Sequence, residues 1–228
     1  MADIHRPLPL APVFPRCASP GLSAGPGSVM DRVAIRQALL ARRRSLSLAE
    51  VARRSRALCA HAVPHPDFQH ASTVALYLPV QGEADPLGLL EQLPRLRGQC
   101  FLPAVVARGE PLQLCSWSAG SPLEPGAFGI PVPRQPQLVL TPRDLGMLDL
   151  MVLPLVAWNR QGLRLGYGGG YYDRTLAGVH TLSRRPALWG WAYDFQEVPQ
   201  LGAEPHDIPL DGVVCESGAW RFSPSGAA

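Results

Sequence analysis

The chain contains no lysine: all 21 of its basic residues are arginine. That excludes a phosphate-loop lysine, a kinase strand lysine and a Schiff-base lysine. Any anion must be held by arginine, backbone N–H groups, histidine or a metal. Cysteine is also sparse. The five (Cys17, Cys59, Cys100, Cys115 and Cys215) are odd in number and show no CxxC spacing, which argues against a disulfide framework and a zinc site. They read as small buried hydrophobes in a reducing cytoplasm. The six histidines are few and scattered. No apolar run approaches the ~18 residues needed to span a bilayer, so no membrane association is expected. A net charge of +3 is too small to make nucleic acid the main partner.

What is present is an ordinary globular composition, 46% hydrophobic and 17% charged over 228 residues. Residues 1–29 are rich in Pro, Gly, Ser and Ala and lack periodicity, so they read as a disordered tail or as sequence preceding a true start at Met30. They lack the basic start and unbroken apolar core of a secretory signal. Regular patterning begins at Asp31, an N-cap for a helix from Val33. Ser47 to Glu50 forms a capping box for a second helix reaching about Ala62. Thr73 to Leu78 is a short β-favouring run, and Asp85-Pro86 opens a helix to about Leu96. Strands are expected near Gln99–Val105 and Leu112–Trp117. A Pro/Gly-rich connection follows over residues 119–144, then the apolar run Leu148–Ala157, a helix from Tyr172 to Ala177, and strands at Ala187–Ala192 and Gly212–Cys215. This alternation predicts an α/β fold: a three-layer open sheet, mostly parallel, with helices on both faces. One domain spans residues 30–220, with a flexible tail over 221–228.

Between the apolar run and the helix lies Gly162 to Arg174, GLRLGYGGGYYDR. Gly166, Gly168, Gly169 and Gly170 permit positive φ and close approach of a ligand to the backbone. Strand, glycine loop and helix in that order aim free N–H groups at one spot. Arg164 and Arg174 flank the loop and can bind an anion bidentately, while Asp173 could take Mg²⁺ beside phosphates. A tight turn alone would also use glycine, yet four in five residues between Arg, Tyr-Tyr and Asp exceed what a turn requires. The loop matches neither GxGxxG nor the GK[ST] phosphate loop.

The segment RLGYGGGYYDR closely resembles the signature of the 5-formyltetrahydrofolate cyclo-ligase family. Further pieces stand in family order: Arg32 and Arg36 on a basic helix, Leu78-Pro-Val-Gln-Gly-Glu83, Phe101-Leu-Pro103, Trp117, Gly129-Ile-Pro131, Pro154-Leu-Val-Ala-Trp-Asn159 and Glu204-Pro-His-Asp-Ile-Pro209. The resemblance covers about residues 32–216 and implies ATP- and Mg²⁺-dependent conversion of 5-formyltetrahydrofolate to 5,10-methenyltetrahydrofolate.

The resemblance also implies roles. Arg32, in place of the family lysine, and Arg36 would bind ATP, Arg36 also touching substrate. Glu83 would bind the pterin, with Leu78 nearby. Arg164, Leu165 and Gly166 would line the nucleotide. Tyr167, Gly168, Gly169, Gly170 and Tyr171 would touch both folate and ATP, and Tyr172 the nucleotide. Asp173 and Asp207 would bind the metal. Some family members carry basic residues where Tyr167 and Gly169 stand, so more falls on Arg164 here. By the residues alone, Arg32, Arg36 and Arg42–Arg44 read first as a solvated basic face, while a helix-start carboxylate at Glu83 and a turn residue at Asp207 are close rivals to the functional readings. Trp117 suits core packing more than ligand stacking. A monomer is expected. The alternatives are a divergent nucleotide-binding paralogue acting on another substrate and, with less support, an RNA- or protein-binding role for the arginine-rich helices.

Overall fold

Residues 31–222 are described by the computed structural model; the tail expected over residues 1–29 lies outside them. Asp31 caps α1 (Arg32–Arg44) by accepting a hydrogen bond from Val33 N–H at 2.9 Å. Ser47 and Glu50 close a reciprocal capping box at the start of α2 (Leu48–Ala62). A single-turn α3 (Pro66–His70) then leads into β1 (Val74–Ala75).

The helix expected from Asp85 to Leu96 is shorter. The α4 turn covers only Gly88–Gln92, and a 3-10 turn over Pro94–Leu96 follows it. Asp85 instead accepts the Leu87 N–H at 2.8 Å, and Pro94 has no N–H with which to continue a helix. β2 (Cys100–Val105) and β3 (Leu112–Trp117) form the next hairpin. The connection over 119–144 contains its own small hairpin, β4 (Leu123–Glu124) and β5 (Val132–Pro133), and then β6 (Val139–Leu140). The apolar run divides into β7 (Leu150–Pro154) and the first strand of a third hairpin, β8 (Ala157–Trp158) with β9 (Arg164–Leu165). After the glycine loop come α5 (Tyr171–Leu176), β10 (Ala187–Trp191), β11 (Gly212–Cys215) and an unexpected β12 (Gly218–Arg221). Residues 221 and 222, expected in the tail, are held at this edge instead, and residues 223–228 lie outside those described. Arg221 pairs with Asp67, and the Phe222 N–H donates to the Asp211 carbonyl at 2.8 Å.

The main sheet has the order β12-β11-β10-β7-β1-β2-β3-β6. Strands β11, β10, β7, β1 and β2 run parallel; β12 and β3 run antiparallel to them at the two edges, and β6 pairs antiparallel with β3 beyond it. Alternate residues face opposite cores. Leu150, Val152, Trp189, Trp191 and Val214 pack against Leu58, Phe68 and Leu89 from α2, α3 and α4. Met151, Leu153, Leu188 and Val213 pack against Leu176 of α5 and Val179. A sheet buried on both faces explains the unbroken apolar run at β7. Gly212 is required where it stands, because a Cβ there would lie 2.6 Å from the Trp189 ring. Among the described residues, no helix is long and apolar enough to cross a membrane.

Candidate active site at the switch point of the sheet

From β1 the chain builds the sheet outward through β2 to β3; from β7 it builds the other way through β10 to β11. The strand order thus reverses between β1 and β7, and ligands of open α/β sheets collect in the crevice beyond the carboxyl ends of such strands. The segment leaving β1 delivers Glu83. The segment leaving β7 passes through the β8–β9 hairpin to the glycine loop.

Glu83 is 4% exposed. Its carboxylate accepts from Val80 N–H at 2.9 Å and from the Tyr167 hydroxyl at 2.9 Å, and it lies 3.6 Å from the Arg43 guanidinium. Burial pushes its carboxyl up to about 7, against the opposing pull of Arg43 and the Val80 N–H. Glu83 also borders a surface cleft of about 440 Å³ whose walls include Leu46, Val51, Pro79 and Gly82. Leu78 is half-buried against the core on that side.

Gly166 to Gly169 are exposed, with Gly168 at φ +99° and Gly170 at φ +64°, a backbone that L side chains rarely adopt. Two cations lie against this loop. Arg36 donates to the Gly166 carbonyl at 2.9 Å, and its guanidinium lies under Gly168; Arg174 donates to the Gly169 carbonyl at 2.7 Å and lies over the Tyr171 ring. Burial, then the charge of Arg32, lowers the pKa of Arg36.

Several of the expected site residues have partners within the protein. Arg164 makes no open anion site: it is 5% exposed, donates to the Ile208 carbonyl at 2.7 Å and pairs with Asp173. It braces the loop rather than facing a ligand. Leu165 is 2% exposed in a small core with Ile35 and Ala157, which leaves its backbone as the part that can face the loop crevice. Tyr172 packs against the core beside Leu176, and burial raises its phenol above the ordinary range. Arg32 is already paired, with Glu204 at 2.9 Å and Asp207 at 3.1 Å. Of the expected metal ligands, Asp173 pairs with Arg164, whose guanidinium also feels the charge of Asp207. The carboxylates of Glu204 and Asp207 and the His206 ring instead offer ligand atoms within 4.8 Å of one another. Trp117 packs in the core, as expected, its indole N–H donating to the Ser121 carbonyl at 3.2 Å.

Arg43 and Glu204 escaped the sequence reading. Arg43 stood in an arginine run that looked solvated, yet it is 1% exposed. Its spacing carried a signal: Arg32, Arg36 and Arg43, four and then seven residues apart, share one helix face. Glu204 had been seen only as part of a motif.

A sheet wound outward from β1 and β7, with a glycine loop and a buried carboxylate at the reversal, is the architecture of an α/β enzyme with its crevice at the switch point. The chain belongs to the 5-formyltetrahydrofolate cyclo-ligase family, whose sequence pattern matches residues 29–216. It is 34% identical over 183 residues to the 5-formyltetrahydrofolate cyclo-ligase of Escherichia coli (strain K12), covering 79% of this chain and 98% of that one. The mouse protein of the same name is 26% identical over 186 residues, covering 80% and 92% of the two chains. The solved structure of Aquifex aeolicus 5,10-methenyltetrahydrofolate synthetase matches with a TM-score of 0.69 at 30% identity, over 86% of this chain and 95% of that one.

Proposed function

We propose that this chain converts 5-formyltetrahydrofolate to 5,10-methenyltetrahydrofolate while ATP becomes ADP and phosphate. The observation that carries the reading is Glu83: a buried carboxylate at the switch point, beside a cleft and joined through Tyr167 to the glycine loop. A carboxylate so placed can accept two N–H bonds from a pterin edge. Arg36, Arg174 and the exposed loop backbone suit the polyphosphate, which in a lysine-free chain must rely on them.

The chemistry asks for positioning more than for covalent participation by the protein. The formyl oxygen attacks the γ-phosphorus and ADP departs. N10 then attacks the formyl carbon and loses its proton, and the C–O bond breaks to release phosphate and leave the methenyl bridge. Glu83 orients the pterin, and the loop with Arg36 orients the phosphates. Mg²⁺, when bound, would neutralise phosphate charge. Glu204, His206 and Asp207 would hold that ion by mutual distance and by their two carboxylates, in place of the Arg32 that pairs with both; Asp173 would have to exchange Arg164 for the ion in the same way. Four buried free cysteines, Cys59, Cys100, Cys115 and Cys215, agree with a reducing cytoplasm as the setting.

The test is the appearance of methenyltetrahydrofolate absorbance with Mg-ATP, together with one ADP per product. Binding of ATP with no methenyl product from 5-formyltetrahydrofolate would assign the site to another substrate.

A further inference from the structure

We infer that Arg43 is a positioning residue, whose buried guanidinium holds Glu83 and Tyr167 as one hydrogen-bonded unit and so sets the pterin acceptor in register with the glycine loop. The inference rests on the reading above, in which Glu83 receives the pterin.

Arg43 stands near the end of α1 but serves both walls of the crevice. It donates to the Gln81 carbonyl at 3.1 Å on the β1 side and to the Leu155 carbonyl at 3.3 Å just past β7. It also donates to the Tyr167 phenol in the glycine loop and lies 3.6 Å from Glu83. Its backbone is seated as firmly: a Cβ on Gly82 would lie 2.5 Å from the Arg43 carbonyl, and Gly82 holds φ +75°. Only glycine at 82 allows this approach.

A wholly apolar side chain would fill the same volume without the desolvation cost of a buried charge. What only a guanidinium supplies is a planar fork that reaches several acceptors at once. The groups acting on Glu83 explain why a cation is needed. Tyr77 comes from the end of β1, Tyr167 from the loop, Tyr172 from α5 and Tyr193 from the segment after β10. Burial raises the phenols of Tyr77, Tyr172 and Tyr193, Tyr167 donates its hydroxyl to Glu83, and Arg43 is the charge that favours the carboxylate. Without it, burial acts nearly unopposed and the acceptor protonates.

The experiment compares wild type with Arg43→Lys, Arg43→Met and Tyr167→Phe. It measures KM for 5-formyltetrahydrofolate and for ATP, and follows the Glu83 carboxyl titration by carbon NMR in the ligand-free protein. Arg43→Lys keeps the charge but loses the fork, so the folate KM should rise about tenfold while the ATP KM changes less than about twofold. Arg43→Met should shift the Glu83 titration upward by about one unit or more and give a folate KM that recovers partly at higher pH. Tyr167→Phe should raise the folate KM by a smaller factor with little change in the titration. An unchanged folate KM in Arg43→Lys overturns the inference, as does an equal rise in both KM values. If Arg43→Met does not fold, the KM split in Arg43→Lys decides. If the wild type makes no methenyl product, the functional reading fails by itself. The ligand-free titration in the Arg43 variants then still decides whether Arg43 governs Glu83: an upward shift in Arg43→Met, or in its absence a titration preserved in Arg43→Lys, supports the link, and any other result overturns it.

Discussion

The Tyr167 hydroxyl donates to the Glu83 carboxylate across 84 residues of sequence, at 2.9 Å. The contact joins the segment that leaves β1 to the loop that follows β9. The pterin acceptor and the phosphate loop of the proposed reaction are therefore one hydrogen-bonded assembly.

Glu83 sets a pH dependence with opposite signs for binding and for stability. Folate binding needs the carboxylate, so the folate KM should fall as pH rises through about 7. For folding, the carboxyl is raised from its ordinary 4.5, so its contribution is fully present below 4.5 and is lost as pH rises through about 7. In Glu83→Gln the pH dependence of the folate KM should vanish and its value rise by about 10- to 100-fold, with the ATP KM little changed. Steady-state kinetics from about pH 5.5 to 8.5 measure both, and a mutant that keeps the wild-type profile would assign the titration to another group.

Arg36→Ala should raise the ATP KM about tenfold, because that guanidinium lies against Gly166 and Gly168, whereas Arg53→Ala on the exposed face of α2 should leave it within about twofold. Equal effects of the two would move the nucleotide away from the loop.

Arg164 and Asp207 separate structural support from metal binding. Arg164→Ala leaves Asp173 and the Ile208 carbonyl without their partner and should cost about 3–5 kcal/mol of stability, read as a fall in the denaturant midpoint. Asp207→Asn removes a carboxylate from the Glu204–His206–Asp207 cluster and should raise the Mg²⁺ concentration for half-maximal turnover about tenfold or more. If Asp173→Asn instead gives the larger Mg²⁺ shift, the ion sits on the α5 side of Arg164.

Gly212→Ala should destabilise the fold by about 1–3 kcal/mol, since the added methyl meets the Trp189 ring between β11 and β10. Chemical denaturation measures it, and a neutral result would mean that the tryptophan layer yields more readily than its burial implies.

Much of this was legible because its causes are local. Asp31 and the Ser47–Glu50 box mark helix starts through hydrogen bonds within three residues. The run at β7 is apolar because both its faces are covered, and the glycine loop stands out through positive φ that only glycine adopts cheaply. The loop could thus be named from residue types, whereas Glu83 and Arg36 stood out only through the resemblance to the family.

Contacts decided by folding were not legible. Residue type does not distinguish Arg43 from the exposed Arg42 and Arg44, and its one local signal is the helix face it shares with Arg32 and Arg36; its burial follows from Leu155, Gln81 and Tyr167 converging on it from three other segments. Arg164 looked like an anion ligand until its place between Ile208 and Asp173 made it a brace. Local sequence determined the elements and the loop, because hydrogen-bond capping and backbone sterics act over a few residues. Tertiary structure alone decided which charges face a ligand and which face each other, because strand order at β1 and β7 chooses the partners of a buried charge.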